Sequence, residues 1–239
     1  MNNQLRVYTR RNLKPNFFEG IFRRYSITSW IIGINIVFFL FVLLFIGISD
    51  AEIVFSFIAL QPVAFFNGFF WTLLTSMFMH ANFTHLFVNM ISLFFIGSFV
   101  EKLIGRKRYF WLYMISGIFA GLLFVFLAYF FGNSDLGTRI FGSPLIYAVG
   151  ASGAIFALGG LLAILTPKMR VYVFFIIPMQ MWFAMIILLG VFWIASISWN
   201  LPIGNSAHFG GLLVGVAYGI YLRKKYPRKS AMLAKRFSH

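Results

Sequence analysis

Ser152 and His208 are the residues whose types and surroundings best suit chemistry in this chain. Ser152 lies in Gly150-Ala151-Ser152-Gly153, and His208 precedes a Phe-Gly-Gly sequence. Each residue stands near the start of a long apolar segment. A hydroxyl and an imidazole are costly in hydrocarbon unless they are paired or functional. A serine beside a histidine base is an activated nucleophile, so the pair is a candidate for covalent catalysis.

The composition predicts an integral membrane protein. Of the 239 residues, 61% are hydrophobic and 10% are charged, and the mean hydropathy is +0.87. A soluble domain is nearer 45–50% apolar. The absence of cysteine excludes a disulfide framework, a thiolate nucleophile and a cysteine zinc site. The net charge of +15 is typical of nucleic-acid binders, but the basic residues flank apolar runs, so no nucleic-acid partner is expected.

Six apolar segments are long enough to be membrane-spanning helices, at about 20 residues for a ~30 Å hydrocarbon core. The chain is therefore expected to be an all-α protein. Two connections are unusual: residues 49–82 form a long apolar loop, and residues 168–179 are expected to be extended at the membrane surface. The predicted spans 1 to 6 are residues 29–48, 83–102, 109–131, 150–166, 180–198 and 206–222.

The lysines and arginines predict the orientation of these spans. Nineteen of the 20 basic residues fall in the N-terminal segment, in the connections 2–3 and 4–5, or in the C-terminal tail. Only Arg139 falls on the other side. By the positive-inside rule, both termini are cytoplasmic. The basic tail is either a topology anchor or a binder of anionic lipid headgroups.

Three spans that run in the same direction place their polar residues in one layer. Counting back from the inner ends of spans 4, 6 and 2, Ser152, His208 and His85 each lie roughly 6–9 Å below the outer surface. Asn89 lies one turn deeper on the face of His85. Because no acidic residue falls inside a span near this layer, a serine–histidine dyad is expected rather than a triad.

Glycines are placed where close backbone approach would help. Gly150 and Gly153 flank Ser152 at a loop-to-helix junction and leave helix N-terminal N–H groups free for a developing oxyanion. In span 6, glycines recur every fourth residue, which favours close packing against another helix. Ala154 and Ala157 are candidate partners on span 4. The recurring glycines are Gly211, Gly215 and Gly219.

These residues carry a family resemblance. The chain resembles the rhomboid intramembrane serine proteases over about residues 28–222. His80 is similar to an upstream histidine common in that family, and Glu101-Lys102 to a charged end of span 2. The matching motifs are Gly150-Ala151-Ser152-Gly153, His85 with Asn89, and Ala207-His208 followed by Gly211 and Gly215.

The resemblance implies a role for each matching position. Ser152 would be the nucleophile and His208 the general base. His85, Asn89 and the backbone N–H of Ser152 would form the oxyanion hole. Phe156 stands where the family often has a tyrosine that packs on the base histidine. The supporting residues would be Gly150, Gly153, Phe156, His80, Gly211 and Gly215.

The expected organisation is a basic cytoplasmic segment 1–28, a six-helix rhomboid-like protease core 29–222 and a basic cytoplasmic tail 223–239. The core would cleave transmembrane protein substrates, with the active site opening to the extracytoplasmic side. The location would be a cell membrane, as a multi-pass protein of the bacterial cytoplasmic membrane. Membrane lipids are the other expected partners, and neither a cofactor nor a metal is expected. Span 5 and loop 198–205 are the candidate gate and cap.

Three alternatives stand beside this interpretation. A lone serine in a transmembrane helix commonly bonds backbone and does nothing else. A proton or ion transporter would use a buried histidine relay, although the intramembrane acids and inverted repeats typical of such proteins are not seen. A rhomboid-shaped binder without activity would be expected to lack Ser152 or His208, and this chain has both.

Overall fold

In the computed structural model, the described residues are 24–173, 176–199, 201 and 203–237. Most of the predicted N-terminal segment 1–28 and two positions of the predicted cap loop, Asn200 and Pro202, lie outside them. Helices dominate the described part. In chain order the elements are α1 (Ile27–Ile48), α2 (Ala51–Ile58), α3 (Pro62–Phe66), α4 (Thr72–Thr75), α5 (Phe83–Ile104), α6 (Arg106–Phe131), α7 (Asp135–Phe141), α8 (Ser152–Leu165), β1 (Arg170–Val173), β2 (Ile177–Gln180), α9 (Met181–Trp199), α10 (Asn205–Lys225) and α11 (Pro227–Arg236).

Each predicted span coincides with a helix, and the ends differ by at most three residues. Four of these helices, α1, α5, α6 and α9, are long and apolar enough to cross a membrane. The other two differ in character. Helix α8 is apolar but has only 14 residues, and α10 opens with polar residues and ends with three basic ones. The chain is thus a helical membrane protein, and the count of six spans stays a prediction.

Span 4 begins two residues later than predicted, at Ser152 rather than residue 150. The physical reason is the backbone of Gly150, whose φ of +118° lies outside the helical region. The chain therefore turns sharply at Gly150 and enters α8 at Ser152. Ser152 is therefore the first residue of α8.

Connection 49–82 was predicted to be a loop, but it contains the three short helices α2, α3 and α4. Asp50 caps α2 by accepting a hydrogen bond from the backbone of Glu52. Pro62 opens α3, where its missing N–H costs nothing. A single antiparallel bridge, Leu60 to Ala148, ties this connection to the segment that leads into Ser152.

Of residues 168–179, which were predicted to be extended, 170–173 and 177–179 lie in an antiparallel hairpin, and 174 and 175 lie outside the described residues. Arg170 pairs with Gln180 and Tyr172 with Pro178. Pro178 is tolerated because a two-stranded sheet leaves one edge of each strand unpaired. Helix α9 starts after this hairpin, at Met181, so Pro178 does not kink it.

Helix α8 is the centre of the bundle. Residues 153–162 are all buried, and α6, α9 and α10 surround them. A Cβ on Gly211 would overlap the carbonyl oxygen of Gly153, and one on Gly215 would overlap that of Ala157. The predicted partner Ala157 is confirmed, whereas Gly153 takes the place of Ala154. Backbone therefore lies directly against backbone where α8 and α10 cross.

Glu101 fixes the inner end of α5 to the start of α1. One carboxylate oxygen accepts the backbone N–H of Ile27, and the other accepts the N–H and hydroxyl of Thr28, all within 2.7–2.8 Å. A carboxylate at a helix N-terminus also interacts favourably with the helix dipole. The side chain of Arg106 lies 3.7 Å away. This junction sets the position of α5, whose other end carries His85 and Asn89.

Candidate active site

The turn before Ser152 brings three segments together. The N–H of Gly150 donates to the carbonyl of Ser76 at 2.8 Å, which anchors the turn to the segment after α4. A Cβ at Gly150 would lie 2.8 Å from the ring of His85 and 3.9 Å from the amide nitrogen of Asn89. Position 150 requires glycine for two reasons: its φ is positive, and the imidazole of His85 leaves no room for a Cβ.

His208 meets Ser152 across the crossing of α8 and α10. The distance from His208 Nε2 to Ser152 Oγ is 2.8 Å, which is hydrogen-bond distance. His208 lies in the first turn of α10 and is 8% exposed. The glycine contacts one turn further along α10 hold the two helices close enough for these short side chains to touch. The structure therefore brings together the serine and histidine that the sequence singled out.

Aromatic rings, rather than a carboxylate, hold the imidazole of His208. Phe156 stacks on it with ring centroids 4.5 Å apart and an interplanar angle of 12°. Phe192 of α9 packs at 5.6 Å and 48°. Among the described residues, Nδ1 of His208 has no hydrogen-bond partner. When Nε2 accepts the serine hydroxyl, Nδ1 carries the hydrogen, and the ring is held by that hydrogen bond and by aromatic packing.

His85 and Asn89 share one face of α5 beside this pair. Asn82 caps α5 by accepting the N–H of His85 at 2.8 Å. The amide nitrogen of Asn89 donates to the carbonyl of His85, also at 2.8 Å. A primary amide has two donor hydrogens, so a second one remains. Both side chains face Gly150, two residues before Ser152.

His80 supports the same face from outside the spans. Its ring lies 5.1 Å from the His85 ring at 67°, and its Nδ1 lies 3.3 Å from the carbonyl of Phe78. Burial, together with the neighbouring His85, lowers the pKa of His80 from 6.5 to about 4. His80 is therefore neutral near neutral pH. Within the described ranges, no three His, Cys, Asp or Glu side chains form a metal-binding group.

Two buried polar residues at the start of α10 anchor the cap region. Asn205 and Ser206 are 2% and 1% exposed. Asn205 donates to the carbonyl of Phe192 at 3.4 Å, and Ser206 to that of Phe141 at 3.0 Å. They fix the start of α10 against α9 and α7, because a buried donor needs an acceptor.

The sequence did not reveal Phe192. Thirty-three phenylalanines are spread along the chain, so one more in an apolar span carries no signal. Only the packing of α9 against α8 and α10 shows that this ring contacts His208. By contrast, Phe156 was identified through the rhomboid resemblance, because it stands where the family often has a tyrosine that packs on the base histidine.

With this geometry in view, comparison with known proteins identifies the family. The family model described as "Rhomboid domain" matches residues 67–225. The chain belongs to the rhomboid family. The matched range contains Ser152, His208, His85 and Asn89, so the rhomboid resemblance of the motifs is confirmed for the region that forms the site.

Several curated rhomboid proteins are similar to this chain. Rhomboid protein 1, mitochondrial, of Saccharomyces cerevisiae is 34% identical over 162 residues, covering 64% of this chain and 42% of that protein. Rhomboid-like protease 1 of Toxoplasma gondii is 29% identical over 226 residues, covering 90% and 71%. Rhomboid protease AarA of Providencia stuartii is 30% identical over 164 residues, covering 64% and 56%. The chain thus spans about half the length of the curated relatives it matches.

Proposed function

We propose that this protein is an intramembrane serine endopeptidase in which Ser152 and His208 form a catalytic dyad. The observation that carries the proposal is the 2.8 Å contact between His208 Nε2 and Ser152 Oγ. Membership of the rhomboid family supports it, as do the names of two relatives, which include the word protease. The substrates would be transmembrane proteins cut in or near their membrane segments.

The reaction proceeds in two halves through an acyl-enzyme. Ser152 Oγ attacks the carbonyl carbon of the scissile bond while His208 Nε2 takes the hydroxyl proton. The resulting imidazolium gives that proton to the leaving amine, and the C–N bond breaks. A water then loses a proton to Nε2 and attacks the ester. His208 returns the proton to Ser152 Oγ, and the carboxylic acid product leaves.

The negative charge on the tetrahedral intermediate needs donors near Gly150. The N–H of Ser152 has no partner within its own helix because it lies in the first turn of α8. The side chains of His85 and Asn89 lie beside the same turn. We assign these three groups to the oxyanion hole. Donors fixed before the reaction act strongly because they need no reorganisation when charge develops.

The dyad depends on packing to orient its base. In triad proteases, an aspartate fixes the tautomer and ring direction, and replacing it with asparagine lowers kcat about 10⁴-fold. Here Phe156 and Phe192 perform the orienting part of that role. No acidic side chain in the described part of the chain stabilises the imidazolium in the same way, so slow turnover is expected.

The proposed topology has six spans with both termini in the cytoplasm and the dyad near the extracytoplasmic face. The distribution of lysine and arginine supports it. His85, Ser152 and His208 lie in the first turns of α5, α8 and α10, respectively. This arrangement supports a common depth for the three helix starts. The proposed location is the bacterial cytoplasmic membrane. Water reaches Ser152 from the outer side.

Substrate entry is assigned to α9 and the cap loop before α10. Helix α9 carries Phe192 against His208. In its last two turns, Trp193 and Ser196 donate hydrogen bonds to the carbonyls of Ile140 and Leu201. Helix α9 packs less extensively against α10 than α8 does. Outward displacement of α9 would open a lateral path to Ser152. A substrate helix must also unwind near the cut, because its peptide bonds are otherwise shielded.

The test is cleavage of a panel of single-span substrates by purified protein in detergent, with the cut mapped by mass spectrometry. Wild-type protein is expected to cut within or beside the membrane segment. Ser152→Ala and His208→Asn are each expected to abolish cleavage while keeping the melting temperature of the wild type. Cleavage that persists in the Ser152→Ala variant would refute the assignment.

A further inference from the structure

A groove of about 590 Å³ opens on α5 toward the end opposite His85. It is lined by aromatic residues of α5, by two serines, and by charged residues at the α5–α6 junction. None of these residues takes part in the proposed dyad chemistry. The groove lies on the side where the basic residues cluster.

The groove starts where α5 departs from regular α-helical geometry. Residues Leu93–Gly97 form a π-helical segment. This turn places Leu93 and Gly97 inside, where a Cβ on Gly97 would lie 2.7 Å from the Tyr109 hydroxyl. It leaves Phe94 and Phe95 on the surface, 58% and 59% exposed. Such segments occur often at functional sites.

The lining changes from apolar to charged along one stripe of α5. Phe94, Ser98 and Lys102 follow one another at intervals of four residues and therefore share a face. At 1.5 Å per residue, the stripe covers about 12 Å. Along the stripe, an aromatic ring is followed by a hydroxyl and then by an ammonium group. These groups match, in order, the acyl chain, the glycerol ester and the phosphate of a phospholipid.

The charge of the groove favours an anion. Although Glu101 lines it, both carboxylate oxygens of Glu101 accept hydrogen bonds from Ile27 and Thr28. Arg106 lies 3.7 Å from the same carboxylate. Lys102 is exposed, and no acidic side chain of the described residues lies within ion-pair distance of it.

The C-terminal helix adds further positive charge to this place. Phe237 contacts Phe99 of the groove with ring centroids 5.6 Å apart, edge to face. The last turn of α11, with Lys235 and Arg236, directly precedes Phe237. The basic tail therefore reaches the same groove as the basic α5–α6 junction.

We propose that this groove binds one diacyl phospholipid with an anionic headgroup. The phosphate contacts Lys102, the ester region contacts Ser98, and an acyl chain lies along Phe94 and Phe95. The aromatic surface selects a lipid over a soluble phosphate, and Lys102 selects an anionic headgroup over a zwitterionic one. Binding does not require Ser152, so it is independent of the proposed peptidase activity.

Native mass spectrometry of the full chain in a neutral detergent tests this proposal. The protein is offered equimolar phosphatidylglycerol and phosphatidylcholine with identical acyl chains. Wild type is expected to retain the first phosphatidylglycerol at least about fivefold more than phosphatidylcholine. Lys102→Gln is expected to lower this preference about fivefold, the effect of one lysine near an anionic lipid. The Ser152→Ala variant is expected to keep it.

Lys107→Gln is the matched control, because it removes the same charge from an exposed position that does not line the groove. It is expected to leave the preference intact. Ser98→Phe fills the groove and is expected to lower the retention of both lipids, with the melting temperature as a check on folding. Equal retention of both lipids by wild type, or equal losses in Lys102→Gln and Lys107→Gln, would overturn the proposal. Displacement of the lipid by a millimolar excess of inorganic phosphate would do the same.

Discussion

The imidazole of His208 packs against two phenylalanine rings, and in the proposed dyad this packing would take the place of an orienting acid. Phe156 is nearly parallel to it, with an interplanar angle of 12°. Stacked aromatic pairs contribute about 0.5–1.5 kcal/mol beyond their buried area. The orientation of the base, and with it the rate of the chemical step, should therefore depend on the ring at position 156.

Replacing Phe156 separates ring packing from volume. Phe156→Leu is expected to lower kcat about tenfold with little change in KM, because roughly 1.4 kcal/mol of base orientation is lost. Phe156→Tyr keeps the ring and should retain most of the activity. The measurement is steady-state cleavage of a transmembrane substrate, with Phe126→Leu at an exposed position of α6 as the control. An unchanged kcat in Phe156→Leu would show that the ring does not orient His208.

His80 makes stability depend on pH. Its folded-state pKa is about 4, against 6.5 for the free side chain. Between these values the unfolded chain binds more protons than the folded chain. The stabilisation is therefore complete above pH 6.5 and is lost as the pH falls toward 4, by on the order of 3 kcal/mol.

The expected result is a melting temperature in detergent that falls more steeply between pH 6.5 and 4 for wild type than for His80→Asn. Both proteins share all other titrating groups, so the difference between the two curves isolates His80. Parallel curves would show that the burial of His80 does not lower its pKa. A steeper curve for the variant would contradict the sign.

At the scale of elements, the crossing of α8 and α10 positions the dyad. The contact is made by backbone, since side chains at Gly211 and Gly215 would overlap the carbonyls of Gly153 and Ala157. Helices with small residues at their interface approach closely in this way. Any side chain added in the crossing must push the helices apart and increase the distance between Ser152 and His208.

Gly215→Ala tests this element directly, because the residue lies two turns from His208 and touches no reacting atom. The variant is expected to lose more than tenfold in kcat, since a misplacement of about 1 Å costs on the order of 100-fold. The control is Gly190→Ala in α9, where a Cβ would meet nothing within 4 Å. If both variants cleave at the wild-type rate, the close crossing does not govern catalysis.

The elements also show what sequence patterns can and cannot predict. Apolar length placed every long helix, because a bilayer of fixed thickness dictates it. The small helices of residues 49–82 and the contact of Phe192 with His208 were missed. The contact of Phe192 depends on neighbours distant in the chain. The short helices begin at local features, the Asp50 cap and Pro62, which a search for long apolar segments does not detect. Helix α8 begins two residues later than predicted because Gly150 has a positive φ. A glycine permits a positive φ but does not require it, so the sequence alone could not place this turn.

At the scale of the whole molecule, charge and depth fit one orientation. Most of the described basic residues lie in α11 or at one end of α5, α6 or α10, whereas Ser152 and His208 lie at the starts of α8 and α10. The absence of cysteine makes this orientation easy to measure. A single cysteine introduced at any position is the sole target of a thiol reagent.

Ser134→Cys and Ser230→Cys are the pair that tests the topology. In intact cells, a membrane-impermeant maleimide is expected to label Cys at position 134, before α7, and to leave position 230, in α11, unlabelled until the membrane is opened. This follows from the positive-inside distribution. The reverse pattern would invert the topology, and labelling of both positions in intact cells would contradict the three spans, 4 to 6, predicted between them.

The central claim is that His208 activates Ser152, and covalent labelling measures this without any knowledge of the natural substrate. A fluorophosphonate reacts with a serine only when a base removes its proton. The wild-type protein is expected to carry the label on Ser152, as mapped by peptide mass spectrometry, and His208→Asn is expected to lose it while keeping its melting temperature. Labelling of Ser152 at an unchanged rate in His208→Asn, or labelling of a different serine in wild type, would contradict the account.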